Sequence, residues 1–271
     1  MNVNEIINEV DMEEIDIVSA PPGLGILRYV KLPEIWEGVK RKYRKWFLRP
    51  RRIVIYGESG SGKTQFLHTL LGKQEDFYEQ RTQTIVEYPF ELSDGHKVIF
   101  IDTPGNQSLD YIRKTLQERY AKNEICGIIN VVSNGYQSIP TTNLTQVFNV
   151  DSNEVKPQYL SMNKKRELKQ LEEWKSFVTA RSGVKWFVTI VNKADIWYAD
   201  MEETMEYYNG GRYHEAIREL INVCDVITYP FCSIIAPFYG RMMPLVMSQK
   251  DQWVMIKSFK KGLVNLIVNH G

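Results

Sequence analysis

Gly57-Glu58-Ser59-Gly60-Ser61-Gly62-Lys63-Thr64 is the stretch on which the reading of this chain turns. It has the G-x-x-x-x-G-K-[ST] spacing of a phosphate-binding loop. Arg51-Arg52-Ile53-Val54-Ile55-Tyr56, just before it, reads as a buried β-strand. Residues 65–71, just after it, carry Phe66, Leu67, Leu70 and Leu71 at helical spacing. Strand, glycine-rich loop and helix together form the context such a loop requires. The chemistry explains the residue types. Phosphate oxygens need many donors in a small space, and Gly57, Gly60 and Gly62 let the backbone curl so that its N–H groups point inward. The helix adds the positive end of its dipole. Lys63 is placed to reach the β- and γ-phosphates, and the Thr64 hydroxyl suits Mg²⁺, a hard cation. The plain alternative is a glycine-rich turn that matches by chance. The loop alone does not separate ATP from GTP, or an enzyme from a switch.

Two further patches follow in order. Segments 88–92 and 97–101 read as strands joined by Ser93-Asp94-Gly95, which has hairpin turn chemistry. The second strand runs into Asp102-Thr103-Pro104-Gly105, a D-x-x-G pattern. An acid at the carboxyl end of a strand beside the phosphate loop is where a second Mg²⁺-organising group is needed, and Gly105 can offer its N–H to the γ-phosphate. Farther on, the apolar strand 186–191 ends in Asn192-Lys193-Ala194-Asp195. An N-K-x-D tetrapeptide can read guanine. The Asp195 carboxylate accepts from the base N1–H and the 2-amino group, a pairing adenine does not offer. Asn192 ties this loop to the phosphate loop, and the Lys193 stem covers the base face. Four such residues alone also make an ordinary polar turn; as the third motif in order they point to guanine.

With these three motifs on the page, residues 52–271 resemble the Ras-like P-loop GTPases, the class that holds translation factors, Era-type proteins and the small G proteins. The resemblance implies an α/β fold. It would be a three-layer, doubly wound, mostly parallel sheet of about six strands, with the nucleotide at the carboxyl ends of the strands. It implies GTP/GDP and Mg²⁺ as ligands. The metal would be held by Thr64, Asp102 and a switch threonine, for which Thr82 and Thr84 are the candidates. Thr84 is preferred because it leads straight into a strand. The loop behind the base normally reads Ser-Ala; here Ser233-Ile234-Ile235-Ala236 stands in its place, which points to Ser233 and Ile234. Where the family orients its catalytic water with a Gln after the D-x-x-G glycine, this chain has Asn106, one methylene shorter, and intrinsic hydrolysis should be slow. Arg81 precedes Thr84 by three residues, a spacing similar to that of the cis arginine of heterotrimeric G-protein α subunits, and is a candidate for offsetting transition-state charge; its alternative is a solvated loop arginine.

The rest of the chain bounds this reading. At 271 residues and 43% hydrophobic content the chain can bury a sizeable core. Net charge is +1, so the whole molecule is no obvious polyanion binder. The charge is uneven, however. Residues 1–19 hold six acids and no base, and residues 31–52 hold nine bases and two acids. Within 31–49, Ile35, Trp36, Val39, Tyr43, Trp46 and Phe47 recur every three or four residues, which predicts a basic amphipathic helix ended by Pro50. Such a helix suits an anionic membrane surface, RNA or a protein partner, or simple docking on the nucleotide domain. We therefore divide the chain into an N-terminal extension, 1–50, and a GTPase domain, 51–271. The polar stretch 133–163 reads as an insertion, with a helix over 164–180, a short helix over 215–223, a last strand over 226–235 and a C-terminal helix. In that last helix Trp253, Ile256, Phe259, Leu263, Leu266 and Ile267 are expected to face the core. Cys126, Cys224 and Cys232 share no metal spacing, which suggests free thiols in a reducing, cytoplasmic compartment. No run is long and apolar enough to span a membrane.

The expected activity is hydrolysis of GTP to GDP and phosphate in a molecular switch. Loss of the γ-phosphate would release 76–86 and 103–118. An effector or activator protein and self-association into a homodimer are partners this class leaves open. The alternative is an interaction module that holds GTP without appreciable hydrolysis and works through its basic helix. A small-molecule phosphotransferase ranks last, since it leaves Asp195 without a purpose.

Overall fold

The structure, a computed structural model, describes residues 50–72, 83–92, 97–105, 108–120, 124–139, 141–149, 154–180, 183–241 and 247–270. The basic helix expected over 31–49, Arg81, Thr82, the 93–95 turn, Asn106 and Gln107 lie outside the described residues. The chain divides into two compact units. In the first, Met1–Pro50 with Phe90–Val98, the described residues are 50, 90–92 and 97–98. The second, Arg51–Pro89 with Ile99–Gly271, holds the residues of the candidate site.

Six strands form one mostly parallel sheet in the order β2-β3-β1-β4-β5-β6. They are β1 Arg51–Tyr56, β2 Val86–Glu91, β3 Lys97–Asp102, β4 Ile125–Val132, β5 Trp186–Val191 and β6 Asp225–Pro230. β1, β4, β5 and β6 run parallel, and Val54, Ile128, Phe187 and Val226 stand in one row across them. Every residue of β5 and the last four of β1 are buried, as expected for parallel strands covered on both faces. The two outermost strands each contain a proline, Pro89 and Pro230, where the missing N–H is tolerated.

The helices are α1 Lys63–Leu71, α2 Leu109–Arg119, α3 Leu144–Val147, α4 Pro157–Thr179, α5 Ala194–Trp197, α6 Met201–Asn209, α7 Arg212–Ile217 and α8 Gln249–Asn269. Strand alternation feeds two cores. On one face Tyr56 stacks on Trp174 of α4 with ring centres 4.1 Å apart. On the other, Phe66 of α1 meets Phe231 and Phe259 of α8 at 4.9 and 5.4 Å. The result is a helix–sheet–helix sandwich.

The main differences from the sequence reading are three boundaries and one helix face. α4 starts at Pro157, inside the stretch 133–163 that reads as an insertion; over 157–163 it buries only Tyr159 and Asn163, too few apolar positions to set a hydrophobic period. β6 stops at Pro230, and the residues beyond it form the loop that serves the site. The helix expected over 215–223 is α7, begun at Arg212, followed by a 3₁₀ segment over Arg218–Asn222. In α8 Ile256, Phe259, Leu263, Leu266 and Ile267 are buried, but Trp253 is 48% exposed. At 100° per residue Trp253 lies about 90° from the centre of that stripe, outside an apolar face roughly 100° wide.

Candidate functional site

The phosphate loop links β1 to α1. Gly60 and Gly62 have φ of 78° and 89°, and both sit where no Cβ fits. At Gly60 it would lie 2.4 Å from the Ser138 carbonyl oxygen, and at Gly62 2.6 Å from Asn192 Nδ2. α1 starts without a capping side chain and without an acid in its first turn, so its N-terminal N–H groups meet no competing carboxylate there. Lys63 Nζ donates to the carbonyls of Gly57 at 2.8 Å and Glu58 at 3.1 Å. Burial lowers its pKa, and Asp102 and then Glu58 oppose that. Burial likewise raises the Glu58 carboxyl, against the pull of Lys63 and Arg166.

The D-x-x-G segment meets this loop. Asp102 ends β3 fully buried, and its Oδ2 accepts from Thr64 Oγ1 at 3.1 Å. Thr103 N and Oγ1 both donate to the Ile55 carbonyl, at 3.2 and 2.9 Å, fastening the turn to β1. Gly105 is pressed against Lys63 and Ser59; a Cβ there would lie 2.6 Å from Lys63 Nζ and 3.0 Å from Ser59 N. The Thr64 hydroxyl and the Asp102 carboxylate are hard oxygen donors beside a buried ammonium, a set that fits Mg²⁺ completed by phosphate oxygens. Among the described residues no cluster of three or more His, Cys, Asp or Glu competes for a metal. Thr84 is exposed just before β2, and among the described residues it is not joined to the Thr64–Asp102 pair.

At the end of β5, Asn192 is a three-way tie. Its Nδ2 donates to the Ser61 carbonyl at 3.1 Å, and its Oδ1 accepts from Ser233 N at 3.1 Å and Ser233 Oγ at 2.9 Å. Lys193 has a left-handed backbone, φ 62°, and its Nζ donates to Tyr136 O and Ser138 Oγ, both at 2.7 Å. Asp195 is buried. Its Oδ2 accepts from Ala236 N at 3.2 Å and its Oδ1 from Cys232 Sγ at 3.6 Å. Burial raises its pKa, and these two bonds oppose the rise. The loop after β6 therefore divides its duties differently from the sequence reading. Ser233 serves Asn192, Ile234 gives its carbonyl to the Cys232 thiol at 3.3 Å, and Cys232 with Ala236 holds Asp195. Sequence reasoning missed Cys232 and Ala236 as partners of Asp195. The late alanine of Ser-Ile-Ile-Ala was the available signal.

The motifs thus converge physically: Asn192 is bonded to the phosphate loop, and Thr64 to Asp102. Sequence comparisons with known proteins agree. The family model described as 50S ribosome-binding GTPase matches residues 52–168, a span that contains the first two motifs. Translation initiation factor IF-2 of Aquifex aeolicus is 32% identical over 142 residues, 46% of this chain and 17% of that protein. The chain thus spans about a sixth of that factor's length. Among solved structures, the mammalian SRP receptor is 16% identical, with a TM-score of 0.49 over 80% of this chain and all of that one. The Methanosarcina barkeri Roco2 RocCORdC structure bound to GDP is 16% identical, with a TM-score of 0.44 over 82% of this chain and 50% of that one. On its ordered motifs, their convergence at one rim of the sheet and these sequence matches, the chain is similar to the P-loop GTPases of the translation-factor-like class.

Proposed function

We propose that this protein hydrolyses GTP to GDP and phosphate with Mg²⁺ and uses the difference between the two nucleotides as a switch. One observation supports the reading: the Asn192 side chain bonds the loop that holds Asp195 to the phosphate loop, so Lys63 and Asp195 would serve one ligand. Lys63 and the first-turn amides of α1 would bind the β- and γ-phosphates, and Asp195 would accept from the guanine N1–H and 2-amino group. Thr64 and Asp102 would hold Mg²⁺, with Thr84 joining when the γ-phosphate is present; the ion supplies neutralisation of phosphate charge. Gly105 would offer its N–H to the γ-phosphate. Catalysis rests on positioning and charge stabilisation, with little covalent chemistry by the protein. Arg81 is our candidate for added positive charge and Asn106 for water orientation.

A second reading is a GTP-holding interaction module with negligible turnover; the shorter Asn106 favours it. Under either reading the basic segment 31–52 is the candidate contact for an anionic membrane, RNA or a protein effector, in a cytoplasmic setting. Nucleotide extracted from purified protein, followed by multiple-turnover phosphate release, decides. Co-purified GDP with steady phosphate release supports the hydrolase. Retained GTP without release supports the module. Adenine nucleotides held as tightly as guanine ones would refute both.

A further inference from the structure

Residues 133–139 leave β4 as a strap across the site. Ser138 N donates to the Gly60 carbonyl at 3.0 Å, and Lys193 Nζ is held by Tyr136 O and Ser138 Oγ. The strap therefore touches both halves of the nucleotide site. Its own shape is set by one carboxylate. Glu167 of α4, 1% exposed, accepts on Oε1 from Ser133 N at 3.0 Å, Gly135 N at 3.2 Å and Gln137 Nε2 at 2.7 Å. Its Oε2 accepts from Tyr208 OH of α6 at 2.8 Å. Asn163 Nδ2 adds a bond to the Gly135 carbonyl at 2.9 Å.

Such an arrangement is hard to explain as a source of stability. A buried charge costs desolvation that apolar packing avoids, and what several hydrogen bonds converging on one carboxylate give in return is a single conformation. The conformation fixed here is that of the strap. We propose that Glu167 is a positioning residue for the nucleotide site: through the strap it fixes Gly60 and Lys193 and so sets how slowly nucleotide leaves. This inference rests on the guanine-nucleotide reading above.

The test is release of a fluorescent GDP analogue from the full chain, chased with excess GDP. Glu167→Ala leaves three strap donors without an acceptor and should speed release about tenfold or more, as small displacements at such sites do. Glu167→Gln keeps one oxygen for those donors and can donate its amide to Tyr208 OH, so release should stay within about twofold of wild type. Tyr208→Phe removes one bond at little structural risk, so it covers the case in which Glu167→Ala does not fold; it should speed release about threefold. Leu263→Ala, in the core of α8, is the control for lost stability and should lower the melting temperature without speeding release. Unchanged release in Tyr208→Phe and in folded Glu167→Ala overturns the proposal. So does equal acceleration in Leu263→Ala. Wild-type protein that holds no guanine nucleotide at all removes the nucleotide reading itself, a result distinct from both.

Discussion

Gly60 and Gly240 make a matched pair. Their φ values are 78° and 74°, but Gly60 lies against the strap while, among the described residues, Gly240 has no heavy atom within 4 Å of where a Cβ would stand. Alanine at either position meets left-handed backbone strain of about 1–2 kcal/mol, offset by about 0.4–1 kcal/mol from a less flexible unfolded chain. For Gly240→Ala that leaves a loss of about 0–1.6 kcal/mol, at most roughly 3–6 °C of melting temperature in a domain of this size. Gly60→Ala carries the same strain plus a clash. Its Cβ would sit 2.4 Å from Ser138 O and 2.7 Å from Ser138 C and N, all backbone atoms. Ordinary contact is about 3.5 Å, so the strap must retreat by about 1 Å. Overpacking of that kind costs about 1–3 kcal/mol, which puts Gly60→Ala at about 2–4 kcal/mol in all and its melting point roughly 5–15 °C below wild type. The same retreat loosens the hold on Lys193, so nucleotide release should also quicken. Thermal melts of both variants followed by circular dichroism decide. Melting points within about 2 °C of each other would refute the idea that the strap bears on the phosphate loop.

Asp195→Asn exchanges an acceptor for a donor, so preference should shift from GTP towards xanthosine triphosphate; competition binding in which GTP still wins as before would place base recognition elsewhere. Thr64→Ala removes the hydroxyl that bonds Asp102, so the Mg²⁺ concentration needed to retain nucleotide should rise about tenfold or more, and an unchanged Mg²⁺ titration would exclude the Thr64–Asp102 pair as the metal site. Glu167 provides a pH test. Burial raises its folded pKa above the unfolded value of 4.5, so above that value the folded state binds the proton more tightly and wild-type stability falls as pH climbs towards the folded pKa. Glu167→Gln has no such loss, so its melting temperature should gain on wild type as pH rises from about 4 to about 8, and parallel curves would contradict the shift.

The parts of the chain that were readable share a physical trait. β5 was bounded correctly, because a parallel strand buried on both faces leaves an unbroken apolar run. The phosphate loop and Asn192 were legible because their chemistry tolerates few residue types. The start of α4 was hidden because over 157–163 it buries only Tyr159 and Asn163, and an asparagine that donates to the Gly135 carbonyl looks in sequence like a solvated loop residue. Pro157 at its first position was the surviving helix signal. The hold on Asp195 was hidden for another reason. One donor is the main-chain N–H of Ala236, which any residue but proline supplies, and the other is a thiol that spacing alone could not assign.

The prolines in the two flanking strands bear on how this molecule meets others. β2 has three residues before Pro89, and β6 is closed at its carboxyl end by Pro230. A visiting chain that tries to zip onto either border finds a gap in the row of donors it needs. Recruitment by annexing an extra strand is therefore disfavoured at both borders. Contacts made through side chains and loops are not subject to that gap.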